Sequence, residues 1–142
     1  MTDNVAYLPP VAPPEPMPPV PAAPHPLAVQ LERCRAFLEP AILDGTPWAE
    51  IAQAVMAGKA QLWPGDAAAM VTQVLENQQG RGLHVWLGGG DIADLLALQP
   101  AVAAWGRSMG CNHATIEGRA GWGKMLKANG WAASFTVFSR PL

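Results

Sequence analysis

The chain has 142 residues, half of them hydrophobic, with nine Lys or Arg against eleven Asp or Glu and a formal net charge of −2. This balance, with no basic patch, argues against nucleic-acid binding. No apolar run approaches the length of a membrane span, and the N-terminus lacks the basic start and apolar core of a signal peptide.

Residues 1–26 predict an extended arm, because they hold ten of the chain's 15 prolines and only two charged residues. Proline lacks an N–H and has a fixed φ, so the segment favours polyproline II over a helix or a strand. Large apolar side chains cluster near its tip. We predict that this cluster and the adjoining prolines bind a partner: Val5, Tyr7, Leu8, Pro9, Pro10 and Val11.

Residues 27–142 are the size of one small domain. Apolar spacing predicts two helices, one from Pro26 to Pro40 and one from a Thr46 cap to Gly58. Three strands joined by tight turns follow, and the third is apolar enough to lie at the centre of a sheet. These strands are Ala60–Trp63, Ala68–Glu76 and Leu83–Leu87.

The second half of the domain begins with a glycine run. Gly88, Gly89 and Gly90 predict a tight turn, after which Asp91 caps a helix that Pro100 breaks or kinks. The remaining elements are a strand over Cys111–Glu117, a helix over Arg119–Asn129 and a strand over Ala133–Ser139. The third and fourth strands should form a right-handed parallel crossover, and the earlier strands should be antiparallel. The chain is therefore predicted to be an α/β (α+β) protein whose mixed sheet is flanked by helices.

The reactive side chains do not form a recognisable site. Cys34 and Cys111 are too few and too far apart for a disulfide framework, so we expect reduced core cysteines. The histidines and cysteines lack metal-ligand spacing, and no serine lies in a nucleophile motif. We therefore expect no metal.

The element order resembles the GNAT acyltransferase superfamily over about residues 46–142. The region that carries the likeness best runs from Gly110 to Trp131, where a strand and a short helix end in Asn129-Gly130-Trp131. The resemblance implies an acyl-CoA site whose backbone amides bind the pyrophosphate in a Gln/Arg-x-x-Gly-x-Gly/Ala loop. Gly88, Gly89 and Gly90 occupy that place and would bind acetyl-CoA in an active enzyme. No Gln or Arg begins the pattern, and Asp91 places a carboxylate where the phosphate would lie.

The resemblance also implies a catalytic tyrosine four residues before Gly130, and that position is Leu126. Glu76, His84 and His113 lie on strands, where a structural role is more common than a role as general base. The basic residues of the last helix are either a solvated face or a site for a phosphate or an acidic partner: Arg119, Lys124 and Lys127. Trp122 and Trp131 beside them either pack on the sheet or bind a partner. We predict no catalytic residue and no resident cofactor.

A fold without its acid and its phosphate loop, joined to a long arm, favours a non-catalytic structural or assembly role. The chain resembles degenerate GNAT-like virion proteins of short-tailed bacteriophages. This resemblance implies several copies bound to portal, tail, connector or internal proteins, in the host cytoplasm during assembly and then in the virion. Two alternatives stay open: an active acyl-CoA N-acyltransferase with a divergent site, and a cellular adaptor that presents a polyproline ligand.

Overall fold

The computed structural model describes residues 25–78, 80–116 and 123–132. These residues form four α-helices, four strands and one 3-10 turn at Glu39–Ala41. The helices are α1 (Pro26–Leu38), α2 (Trp48–Met56), α3 (Ile92–Ser108) and α4 (Gly123–Ala128). The strands are β1 (Gln61–Pro64), β2 (Ala68–Asn77), β3 (Gly80–Gly90) and β4 (His113–Ile116). The predicted arm before residue 25 and the predicted last strand over 133–139 lie outside the described residues.

The four strands form one mixed sheet in the order β1-β2-β3-β4. The pairs β1–β2 and β2–β3 are antiparallel, and β3–β4 is parallel across the α3 crossover. The predicted fold class is therefore confirmed, and β3 lies inside the sheet as its apolar centre suggested. No helix of the described residues is long and apolar enough to cross a membrane.

One face of the sheet packs against α1 and α2. Leu31, Cys34 and Leu38 recur at helical spacing on α1 and are buried, as are Ile51 and Val55 on α2. They meet apolar side chains from the sheet, which closes this face. We call this cluster the α1–α2 core: Leu31, Cys34, Leu38, Ala41, Ile51, Val55, Ala60, Ala69, Val71 and Leu87.

The opposite face packs against α3. Its buried residues form the α3 core: Ala68, Met70, Leu83, Val85, Leu95 and Val102. Trp63 on β1 and Trp105 on α3 meet edge to face, with ring centroids 5.8 Å apart. The Trp63 indole N–H donates to Thr72 Oγ1, which donates in turn to Gln61 Oε1, both at 2.9 Å. This chain satisfies the one polar side chain buried among the described residues, Thr72.

Element ends differ from the sequence predictions where local hydrogen bonds compete. Thr46 does not cap α2, because its amide and hydroxyl both donate to Asp44 Oδ1 and Pro47 takes the N-cap position. Strand β1 is displaced by one residue and includes Pro64, which an edge strand tolerates. Strand β4 begins at His113, since the Cys111 amide still donates to Gly106 at the end of α3. Pro100 lies inside α3 and does not break it.

Candidate functional site

The junction between β3 and α3 is held by hydrogen bonds that involve two carboxylates. Asp91 is the N-cap of α3, and its side chain accepts from the amide of Asp94 at 3.1 Å. The Asp91 amide donates to the Ala67 carbonyl at 2.8 Å, and the Ala67 amide donates to Asp94 Oδ2 at 2.9 Å. The turn between β1 and β2 is therefore bound to the first turn of α3, and the predicted Asp91 cap is confirmed.

The three glycines lie in β3 rather than in a turn, which corrects the sequence prediction. Gly88, Gly89 and Gly90 pair with Met70, Ala69 and Ala68 of β2. Pairing with the antiparallel neighbour β2 extends the strand to Gly90, and no local sequence pattern reveals this pairing.

Two of the glycines are required by close backbone packing. A Cβ on Gly89 would overlap the carbonyl oxygen of Phe37, so α1 reaches the sheet only because this residue has no side chain. Gly90 has a φ of 103°, and a Cβ there would overlap the Ala67 carbonyl. A Cβ on Gly88 would lie 3.6 Å from Leu95 Cδ2, which is an ordinary contact. The glycine run thus serves packing at two of its three positions.

A β-bulge separates two parts of β3. Val71 pairs with Leu87 and Thr72 pairs with Val85, so Trp86 is an extra residue with no partner on β2. Val85 is also the last β3 residue paired with the described part of β4, opposite Ile116. A bulge bends its strand and increases the local twist. The bulge at Trp86 comes directly after Val85, so it lies where β3 continues beyond its described pairing with β4.

A cleft of about 320 Å³ opens on the α3 face of the parallel strand pair. Its floor is formed by alternate residues of the two strands, and its walls come from α3 and the end of α4. We call it the α3 cleft, and it is lined by Met70, Leu83, Val85, Gln99, Val102, Ala103, Ala114, Ile116, Asn129, Gly130 and Trp131. Its described lining is apolar apart from the two amide side chains, Gln99 and Asn129.

The candidate general bases are not in this cleft. His84 and His113 alternate along the strands with the residues of its floor, so they face the other side of the sheet. His84 Nδ1 lies 2.8 Å from Thr115 Oγ1, and His113 Nδ1 lies 2.5 Å from Asn112 Oδ1. Glu76 forms an exposed ion pair with Arg81 at 3.6 Å. The structure thus brings none of the three to the cleft.

The remaining predicted residues divide between described and undescribed positions. Leu126, at the place of the family tyrosine, is half-buried, and Lys127 is exposed. Trp131 lines the α3 cleft. This position is compatible with both predictions for its ring, packing on the sheet and binding a partner. The other predicted partner-binding and basic residues lie outside the described side chains: Val5, Tyr7, Leu8, Pro9, Pro10, Val11, Arg119, Trp122 and Lys124. Sequence reasoning missed Gln99, Val102 and Asn129, because only the tertiary fold brings them together.

Comparison with solved structures shows the fold. A scan with protein-family models finds no match, and neither does a sequence search of curated proteins. An aminoglycoside N-acetyltransferase, AAC(6')-Iy in complex with CoA, superposes with a TM-score of 0.59 at 16% identity, over 80% of this chain and 89% of that chain. A Trypanosoma brucei acetyltransferase gives 0.55 at 16% identity, over 82% and 92%. The glucosamine-6-phosphate N-acetyltransferase of Arabidopsis thaliana gives 0.51 at 9% identity, over 80% and 87%.

This chain has the GNAT fold. Sequence identities this low establish a common architecture only. Activity and ligand have to be inferred from the residues of this chain. The predicted GNAT resemblance is thus confirmed at the level of the fold, and the phage-type resemblance gains no support.

The residues at the β3–α3 junction do not fit the diphosphate of acetyl-CoA. A helix N-terminus binds a diphosphate through its free amides and the positive end of its dipole, and a nearby carboxylate opposes both. Here the Asp94 amide is bound by Asp91, and carboxylates lie at both the N-cap and the first turn of α3, Asp91 and Asp94. The sequence places no Lys or Arg between residues 60 and 80 or between 82 and 106, the segments that form β1, β2, most of β3 and most of α3.

Proposed function

We propose that this chain is a non-catalytic GNAT-fold component of a larger assembly. The observation that carries the proposal is the β3–α3 junction, where Asp91 and Asp94 are engaged within the protein. Two carboxylates beside a diphosphate would repel it, and their hydrogen bonds use groups that the ligand would need. A strongly bound acyl-CoA is therefore not expected.

The catalytic groups support the same conclusion. Leu126 cannot donate a proton to a leaving thiolate, and His84 and His113 face away from the α3 cleft. General acid–base catalysis requires the proton donor or acceptor within hydrogen-bond reach of the reacting atoms. Leu126, at the position of the family's acid, does not meet this requirement, and neither do His84 and His113.

The first experiment measures binding of acetyl-CoA to the full chain. At a ligand concentration 100 times its Kd, binding would add about 2.7 kcal/mol to the free energy of unfolding, a rise in Tm of several degrees. We expect no rise with millimolar acetyl-CoA and no thiol release with amine acceptors. A clear rise together with acceptor-dependent thiol release would overturn the proposal.

A matched variant tests the reason for the lack of binding. Asp91→Asn with Asp94→Asn removes both charges, and Asn remains a good N-cap. We expect this double variant to gain measurable affinity for CoA relative to the native chain. Glu50→Gln with Glu32→Gln, which removes two charges from α1 and α2, is the control and should gain none. Equal behaviour of the two double variants would contradict the electrostatic explanation.

The assembly role is assigned to the arm over residues 1–26. Polyproline II is largely preformed in the free chain, so binding through it costs little conformational entropy. Tyr7 and Leu8 supply the largest apolar surface near the tip and would be its anchors. Portal, tail, connector or internal proteins of a bacteriophage remain the partners that the sequence resemblance suggests, and the virion remains a prediction.

Variants of the full chain test the arm. Tyr7→Ala with Leu8→Ala should abolish co-sedimentation with particles from the producing cells, while Met17→Ala should retain it. Both variants should have the native Tm, because the sequence predicts an arm separate from the domain over residues 27–142. If the double variant incorporates as well as Met17→Ala, the anchors are wrong.

A further inference from the structure

We propose that the inner part of the arm, residues 16–24, docks on the outer face of α1 in its own chain. In this arrangement Val20 contacts Val29, and Met17 contacts Ala36. The outer part of the arm then extends past the C-terminal end of α1, where a partner can reach it. The docking goes beyond the assembly role proposed above and does not depend on it.

The sequence of the arm has an apolar residue at every third position. Polyproline II has three residues per turn and rises about 3.1 Å per residue, so residues at this spacing share one face and lie about 9 Å apart. Between residues 5 and 24, all side chains larger than proline except Tyr7 and Glu15 fall on this face. An arm with its bulk on a single face is suited to lie along a surface. The face consists of Val5, Leu8, Val11, Pro14, Met17, Val20 and Ala23.

The outer face of α1 carries two apolar side chains at a matching distance. Val29 is 49% exposed and Ala36 is also exposed, and helical spacing places both on the side of α1 opposite its buried residues. At 1.5 Å per residue they lie about 10 Å apart along the helix axis. This is close to the spacing of about 9 Å between Met17 and Val20 in polyproline II. The two pairs can therefore meet along one straight contact.

A shallow groove of about 480 Å³ on this part of α1 suits an uncharged occupant. Arg35 Nε lies 2.5 Å from Glu39 Oε2, and Arg35 Nη1 lies 3.9 Å from Glu32 Oε2. The guanidinium also lies over the Trp48 ring, 5.8 Å from its centre, which gives a planar wall of the kind that proline-rich segments bind. Residues 16–24 carry no Asp, Glu, Lys or Arg, so they need no ionic partner. The groove is lined by Glu32, Arg35, Ala36, Glu39 and Pro40.

The length of the connection favours the arm of the same chain over that of a second copy. The helix from Pro26 to Ala36 is about 15 Å long. Residues 17–25 can span about 25 Å in an extended form, so Met17 can reach Ala36 after the chain reverses its direction near α1. A segment tethered this closely has an effective concentration in the millimolar range. A weak contact is then sufficient, and it opens locally before the packed cores unfold, so it contributes little to the Tm.

A spin label on the arm of the full chain tests the docking. A nitroxide is attached to Met17→Cys, with Cys111→Ala to prevent labelling there, while Cys34 is fully buried. The label broadens the NMR signals of nearby backbone amides. We expect the loss of signal along α1 to be largest around Ala36 and smaller at Leu27. An arm that extends away from the domain would instead broaden Leu27 most, with a loss that falls steadily toward Ala36.

Two exposed alanines provide a matched pair of variants in the labelled chain. Ala36→Glu places a carboxylate where Met17 would pack, and glutamate is a good helix former. The maximum around residue 36 should then disappear. Ala104 is also exposed within a helix, but it lies on α3, across the sheet from α1. Ala104→Glu should therefore keep the maximum.

A mixed sample identifies the molecule that supplies the arm. Isotope-labelled chain without nitroxide is combined with nitroxide-labelled chain of natural isotopes, and we expect no maximum around Ala36 in this mixture. Three results would overturn the inference: the largest loss at Leu27, a maximum that persists in the mixture and so comes from a second copy, or equal profiles for Ala36→Glu and Ala104→Glu. The readout uses neither particles nor acetyl-CoA, so its failure would leave the proposed function untouched.

Discussion

The two faces of the sheet are filled to different degrees. On the α1–α2 face, Cys34, Leu38 and Ile51 are fully inaccessible to solvent. On the α3 face, a cleft adjoins Leu83 and Val102. Because close packing of apolar side chains is the main source of stability, we infer that the first face contributes more to the stability of the fold than the second.

The difference has a simple origin in side-chain size. On the α1–α2 face, Gly89 lets the backbone of α1 approach the sheet directly. Under α3, the ring pair of Trp63 and Trp105 fills the space near β1, while Ala103 and Ala114 leave the space over β4 open. The α3 face is therefore filled near β1 and open over β4.

The largest expected effect follows from placing a methyl group between α1 and the sheet. Gly89→Ala would push the Phe37 carbonyl away and should lower the free energy of unfolding by about 3 kcal/mol or more. Gly88→Ala, one residue earlier, makes only an ordinary contact with Leu95 and should change it by less than about 1 kcal/mol. Denaturant unfolding of both variants measures the difference. Equal stability would mean that α1 does not approach β3 as closely as described.

Truncating one leucine on each face compares how much the two faces contribute to the free energy of unfolding. Leu38→Ala leaves a closed cavity and should cost about 3 to 5 kcal/mol. Leu83→Ala opens into the existing cleft, where neighbours and water can adjust, and should cost about 2 to 3 kcal/mol. Chemical denaturation gives both values. A larger loss at Leu83 would reverse the roles assigned to the two faces.

The sequence predicted the parts of the fold that depend on local patterns. The first helix, the central position of β3 and the Asp91 cap follow from spacing and residue type, and all three are confirmed. Gly88–Gly90 predicts a turn from the sequence alone, because glycine runs favour turns. Pairing with β2 and the approach of α1 decide their conformation, and both are long-range interactions.

The candidate site was less predictable for the same reason. The mismatch with a diphosphate site was visible in the sequence, since Asp91 follows the glycines directly. The α3 cleft was not, because Met70, Gln99 and Trp131 come from segments with no shared motif. Only the crossover of α3 brings their side chains to one volume.

A smaller effect is expected at the N-terminus of α3. Asp91→Ala removes the acceptor of the Asp94 amide and should lower the free energy of unfolding by about 1 kcal/mol. Asp91→Asn keeps an acceptor and should lose little. Hydrogen exchange of the first α3 amides would localise the change. If Ala and Asn at this position are equally stable, the cap contributes nothing to the α3 face.

The smallest effect concerns the two thiols, one on each face. Cys34 is fully buried in the α1–α2 core, and burial raises its pKa above the ordinary 9.0, with a smaller opposing effect from the charge of Arg33. Cys111 packs against the α3 core and is partly exposed. Because only the thiolate reacts, Cys111 should react with a disulfide reagent at pH 8 on the order of tenfold faster than Cys34. Cys34→Ser and Cys111→Ser assign the two phases.

The raised pKa of Cys34 also gives the sign of a pH effect. Above about pH 9 the thiol ionises in the unfolded chain and stays protonated in the folded one, so the free energy of unfolding falls as pH rises. Cys34→Ala should remove this dependence, whereas Cys111→Ala should leave it. Equal slopes for the two variants between pH 8 and pH 10 would contradict the difference in burial on which the comparison of the faces depends.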